Sequence, residues 1–169
     1  TGTTTLVTSA NDATITLDTT TNAFTGAVTI TTNDASGTDA DVTIDGGTTA
    51  LDIAASTIDG DLTLTSGHAS GITDSGTVTV GGNFSATTDA NNGVINVGSM
   101  AVDGTVALAT NGNGAATIVN DAGLNFAAST VTGALTATAT TGNITDTGAL
   151  TITGTTTLVT SANDATITL

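Results

Sequence analysis

The chain of 169 residues contains no Lys, Arg, Glu, Gln, Pro, Cys, Trp or Tyr. Each absence removes something. Without cysteine there are no disulfides and no thiolate metal centre. Without a basic residue, and with fifteen Asp giving a net charge of −15, the chain lacks the electrostatic footing for nucleic acid and for docking on anionic membranes. It also offers trypsin-like proteases nothing to cut, which suits an exposed fibre. No run approaches the ~18 apolar residues that cross a bilayer as a helix. Apart from Ala, Leu and the lone Met100, the strong helix formers are missing.

What is present is Thr, Ala, Gly, Asn, Asp and Ser with the aliphatics Val, Ile and Leu. Thr, Val and Ile fit a pleated, half-buried surface, while Gly, Asn and Asp make turns. A mean hydropathy of +0.29 argues against disorder. The balance is that of an all-β protein.

Two periods organise the chain. The long one is literal: residues 1–17, TGTTTLVTSANDATITL, return as residues 153–169. One period therefore spans 1–152 and the next begins at 153, and we read 1–169 as a single continuous segment of a longer array. The short period is the pattern apolar-x-Gly-x-apolar-x-apolar around Gly26, Gly60, Gly82, Gly104, Gly133 and Gly154, with Gly2 opening the first unit. From Gly2 onward, the separations are 24, 34, 22, 22, 29 and 21 residues.

Alternation puts Leu62 and Leu64 on one face of a strand and Thr63 and Thr65 on the other. The same logic assigns to the interior Val28, Ile30, Ile58, Val78, Val80, Phe84, Val102, Val106, Leu108, Val131, Leu135, Leu150 and Ile152. Each motif glycine is in phase with that face, at a bend that leaves no room for a side chain. Further strands are expected at Thr14–Leu17, Val42–Ile44, Val94–Val97, Thr117–Val119, Thr77–Val80 and Ala149–Ile152. Two or three short strands per ~22 residues make one coil of a right-handed parallel β-helix, a β-solenoid. Ordering a single coil costs more conformational entropy than half a dozen inward aliphatics offset, so coils must stack. The 34-residue separation predicts either two coils or one coil with a loop around Asn33–Asp41, and the 29-residue separation predicts a loop near Asn111–Gly114. A period then holds about seven coils, ~34 Å of rise at the usual strand spacing. The first and last segments share one sequence, so neither is a dedicated cap.

Gly71-Ile-Thr-Asp-Ser-Gly-Thr-Val-Thr-Val80 and Asn143-Ile-Thr-Asp-Thr-Gly-Ala-Leu-Thr-Ile152 resemble the repeats of filamentous haemagglutinin-type secreted bacterial exoproteins. The resemblance is best over 59–102 and 132–158. It implies a right-handed β-helical shaft, export to the cell surface or beyond, and adhesion or filament building.

Little points to chemistry. His68 is the only histidine, in the turn Ser66-Gly-His-Ala, so neither a zinc site nor a triad can be assembled. Asp39 with Asp41, and Asp59 with Asp61 either side of Gly60, are the carboxylates a glycosidase pair or a calcium ion would draw on. Neither the EF-hand spacing nor the calcium β-roll nonapeptide is present, and Asp also serves turns by binding local backbone. Repeated Thr-x-Thr pairs suit an ice-binding face, but more simply are outward β-formers. The expectation is a non-enzymatic extracellular or cell-surface filament or stalk with no cofactor, calcium apart. Its partners would be further copies of itself end to end, with a receptor or glycan for an adhesive face, and neither nucleic acid nor membrane insertion.

Overall fold

The computed structural model describes residues 2–36 and 39–169. No helix occurs among them, and every strand pairing is parallel. The chain winds through eight coils. The first holds β1 (Thr4–Val7) and β2 (Ile15–Leu17), the second β3 (Val28–Thr31) and β4 (Val42–Asp45). The third holds β5 (Leu51–Ile53), β6 (Ser56–Ile58) and β7 (Leu62–Ser66), and the fourth β8 (Ile72–Asp74), β9 (Val78–Val80) and β10 (Phe84–Asn91). The fifth holds β11 (Ile95–Val102) and β12 (Thr105–Asn111), the sixth β13 (Ala116–Asn120), β14 (Leu124–Phe126) and β15 (Ser129–Val131). The seventh holds β16 (Leu135–Ala139), β17 (Ile144–Asp146) and β18 (Leu150–Ile152), and the eighth β19 (Thr156–Thr160) and β20 (Ile167–Thr168). Each coil contributes to two sheets that face each other, one running from β1 to β19 and the other from β2 to β20. The strand β19, which repeats the sequence of β1, lies seven coils above it. This is a β-solenoid with the expected coil count.

Register explains the alternation. Along the second sheet Val42, Leu62, Phe84, Val106 and Phe126 stack in one inward column. Along the first, Leu51, Ile72, Ile95, Ala116 and Leu135 do the same. All are buried in one continuous core, where each large side chain withdrawn from water stabilises the rod by about 1.5–3 kcal/mol. Of the fifteen residues assigned to the interior, thirteen are buried. Leu150 and Ile152 are only partly so: β18 pairs with β15 alone, and no strand of the described residues lies over it.

The motif glycines are crowded from below rather than from inside. A Cβ on Gly60 would stand 2.6 Å from the Ala40 carbonyl carbon, and one on Gly82 would stand 2.9 Å from that of Gly60. Gly104 in turn rests on Gly82, and Gly154 on Gly133. The six glycines do not, however, form one column. Gly26, Gly133 and Gly154 lead into the first sheet, at β3, β16 and β19. Gly60, Gly82 and Gly104 lead into the second, at β7, β10 and β12. The long separations are therefore one and a half coils, where the motif changes sheet, rather than two whole coils or single coils carrying loops. Asn111–Gly114 is a tight turn between β12 and β13. The other expected loop is partly real: Ile15 to Val42 takes 27 residues, the longest coil in the register, and residues 37–38 of the expected stretch lie outside the described residues.

A further repeat underlies that change of sheet. Residues 51–62, LDIAASTIDGDL, correspond to residues 124–135, LNFAASTVTGAL, 73 positions on. The first stretch starts in the first sheet and the second in the second sheet. Half a period is three and a half coils, so the same words fold on opposite sides of the rod.

Candidate functional site

The surface chemistry of this chain is a chemistry of stacked Asp, Asn, Ser and Thr. At the entry to the second sheet, beside the Gly60–Gly82–Gly104 column, Asp41 Oδ1 accepts the Asp61 N–H at 2.8 Å and Asp61 Oδ1 accepts the Asn83 N–H at 2.6 Å. Asn83 Oδ1 accepts both the N–H and the hydroxyl of Thr105, at 2.9 and 2.8 Å. Each side chain thus supplies the upward bond to the next coil at a bend. The device recurs from Asn92 to Asn113 and from Asn143 to Thr166.

Of the four Asp singled out in the sequence, Asp41 and Asp61 belong to that column. Asp59 turns elsewhere, its Oδ2 accepting the Asp34 N–H at 3.0 Å. Asp39 is exposed and its carbonyl accepts the Asp41 N–H at 3.0 Å. Among the described residues no three His or Asp side chains gather closely enough to hold a cation.

Asp12 and Asp34 face each other across adjacent coils. Asp12's carboxyl is raised above its ordinary range, first by its hydrogen bond to Asp34 and next by reduced solvation. Asp34 is held below its own, first by that bond and next by the Ser36 N–H. Asp34 Oδ2 is shielded from water and meets no hydrogen-bond donor. Asp12 also adopts a left-handed conformation, φ 60°, as do Asp164 at the corresponding turn of the eighth coil and Asn92 at the turn from β10 to β11. The turns themselves are clamped from inside, Thr8 donating to Ala13 O and Thr88 to Gly93 O.

His68 is an exposed turn residue whose Nδ1 accepts the Ser70 N–H. Outward hydroxyls stack in part: Thr16, Thr43, Thr63 and Ser85 form one column and Thr65 and Thr87 another beside it, before Ala107 and Ala109 end both. On the opposite sheet Thr117, Thr136 and Thr157 stack. An open groove of about 340 Å³ is lined by Asp103, Asn125, Asn143 and Thr145 among others.

The remaining surface is the pair of axial ends. Among the described residues no strand pairs with the lower edge of β1 and β2, and Leu6, Ile15 and Leu17 are half-buried. At the other end Ile167 and Leu169 are exposed. Between them lies a junction in which β19 sits on β16 with Leu135, Thr136 and Ala137 opposite Thr156, Thr157 and Leu158, and β20 sits on β17 with Ile144 opposite Ile167.

Signals for the interior polar residues were present but unread in the sequence. Ser56 and Ser129 each close an Ala-Ala-Ser triplet, and both are buried. Asn120, also buried, accepts the Val102 N–H at 2.8 Å while donating to Val102 O and Gly123 O.

A stacked array of parallel coils with side-chain ladders at its corners defines a repeat solenoid. The chain belongs to the family described as repeats of unknown function, DUF5649, whose model matches residues 1–31, 39–96 and 113–169. No curated protein and no solved structure matches it.

Proposed function

We propose that the chain is a section of a rigid extracellular or cell-surface rod, a stalk or filament that spaces, adheres or polymerises and carries out no reaction of its own. The observation that carries this reading is the return of residues 1–17 as residues 153–169, seven coils higher and on the same sheets. A sequence that returns in the same register and on the same sheets is suited to stacking on further copies of itself. Its partners are then further copies of the same repeat. The cell-surface setting is supported by the absence of any Lys or Arg and by the haemagglutinin-like segments at 71–80 and 143–152. Calcium, in this reading, relieves charge along the rod rather than filling a cage.

A second reading, a binding face for ice, a receptor or a glycan, draws on the paired hydroxyls of Thr63 and Thr65 beside Ser85 and Thr87. Those pairs span two coils only, so the rod is preferred.

The test is a series of proteins with one, two and four copies of residues 1–152, viewed by electron microscopy. Contour length should grow by ~34 Å per copy, seven coils at the strand spacing. Compact particles whose diameter grows in all directions would discard the reading.

A further inference from the structure

The junction between one period and the next is visible within this chain, and its two halves are not symmetric. Residues 153–169 rest on the seventh coil through a continuous ladder: Leu135 N–H donates to Thr155 O at 2.9 Å, Ile144 N–H to Thr166 O at 3.0 Å, and Ser161 N–H to Ala139 O at 3.0 Å. Asn143 Oδ1 accepts the Thr166 N–H, and inward Leu158 lies opposite Ala137. Residues 1–17 have the same sequence, and among the described residues no strand lies beneath β1 and β2.

We propose that the upper surface of the seventh coil, β16 with β17, is a socket for residues 2–17 of a second copy of this chain, in the register now held by residues 153–169. The inference rests on the rod reading and adds that the rod can grow without a covalent link. Wherever residues 153–169 are displaced, the exposed socket and the first coil of another copy are complementary, because the chain itself displays that pairing. The contact is heterologous, head to tail, so it propagates into a filament rather than closing into a dimer. Stacking the first coil on the eighth, by contrast, would place two identical coils together, a pairing the chain does not contain.

The chain contains no cysteine, which allows a direct test in all 169 residues. Thr136 lies opposite Thr157, and Thr5 is the residue corresponding to Thr157. Thr5 and Thr136 of one chain are six coils apart, ~29 Å, whereas a disulfide needs Cα atoms within about 7 Å. In the double variant T5C/T136C, a disulfide between positions 5 and 136 can therefore only join two molecules. The pair is placed in two backgrounds, the parent and L158D, which puts a carboxylate over Ala137 and dislodges the last coil. Under oxidation the L158D protein should give a ladder of trimers and larger species, with the mixed bond identified by mass spectrometry. The ladder should be about tenfold stronger than in the parent, whose own last coil competes at the high effective concentration of a tethered segment. An L158D protein that keeps its β-sheet circular dichroism yet yields only the dimers of single-cysteine controls overturns the proposal.

Should L158D unfold, the parent pair decides. Refolded from denaturant at rising concentration, it should form the mixed bond in rising yield, and a flat zero yield overturns the socket. T136C/T157C, which should close within one molecule, reports that the register is right. If arrays of covalent copies lengthen as expected while no mixed bond forms, the rod stands and the socket falls.

Discussion

Ser56 and Ser129 do the same work on opposite sheets of the solenoid. Ser56 Oγ accepts the Ile30 N–H at 2.9 Å and donates to Ala54 O at 2.8 Å; Ser129 Oγ accepts the Leu108 N–H at 3.1 Å and donates to Ala127 O at 2.9 Å. Each stands where a strand bends after Ala-Ala and the ladder would otherwise lose a bond. Removing either hydroxyl strands a buried N–H, which costs about 1–3 kcal/mol.

S56A and S129A should therefore each lower unfolding free energy by about 1–3 kcal/mol, and by similar amounts. They lie three and a half coils apart, ~17 Å, so the double variant should show the sum of the two within about 0.5 kcal/mol. Urea titration measures all three. A silent S129A beside a costly S56A would break the proposed equivalence.

The glycine stack predicts a contrast. Gly82 is buried with backbone of the third coil beneath it, whereas a Cβ on Gly98 meets nothing within 4 Å. G82A should destabilise by about 1–3 kcal/mol through overpacking that the stiff backbone cannot relieve. G98A should be neutral or stabilising by up to about 1 kcal/mol, because alanine narrows the unfolded ensemble. Equal melting temperatures for the two variants would show that the coils are not in contact at Gly60 and Gly82.

These two cases also mark what could be read in advance. Inward and outward positions followed from the alternation around Leu62 and Val106, because one face is buried over the whole length and a period-two pattern admits no other solution. The sheet to which each glycine belongs was not legible. Gly60 and Gly133 sit in nearly the same words, and only the packing shows them three and a half coils apart on opposite sides. Hydrogen bonds such as Asp41 to Asp61 were equally hidden, since their partners are about 20 residues apart and the same Asp would read as an ordinary turn former. The Asp12–Asp34 pair depends on the length of the longest coil, which no local pattern sets.

That pair makes stability depend on pH in a defined direction. Asp12's raised pKa means its contribution is complete below the unfolded value and is lost as pH rises through the folded one. Asp34's lowered pKa gives the opposite limb, lost only as pH falls through its depressed value. The singly protonated pair is thus favoured around the ordinary carboxylate range, about pH 4. D12N should flatten the decline in melting temperature from about pH 4 to 7, since the amide donates at every pH. Asn also tolerates the left-handed backbone at this turn. Parallel profiles for D12N and the parent would remove the pair from the account.

A rod with fifteen Asp and no basic residue should be stabilised by screening. Raising salt from about 0.01 to 0.15 M shortens the Debye length from about 30 to 8 Å, less than two coil spacings, and the melting temperature should climb by several degrees. Calcium and magnesium at equal millimolar concentration should act alike, and a chelator should change nothing beyond what its ionic strength does. A calcium effect far larger than that of magnesium, abolished in D41N/D61N, would instead establish a specific site at that column.

The continuous dry interior with strands perpendicular to the rod is the claim on which everything else stands. X-ray fibre diffraction from aligned arrays of the repeat tests it most directly. A strong meridional reflection at about 4.8 Å, indexing as the seventh order of a ~34 Å axial repeat, is the expected pattern. A 4.8 Å reflection on the equator, placing the strands along the fibre, or a repeat that is not seven strand spacings, would contradict it.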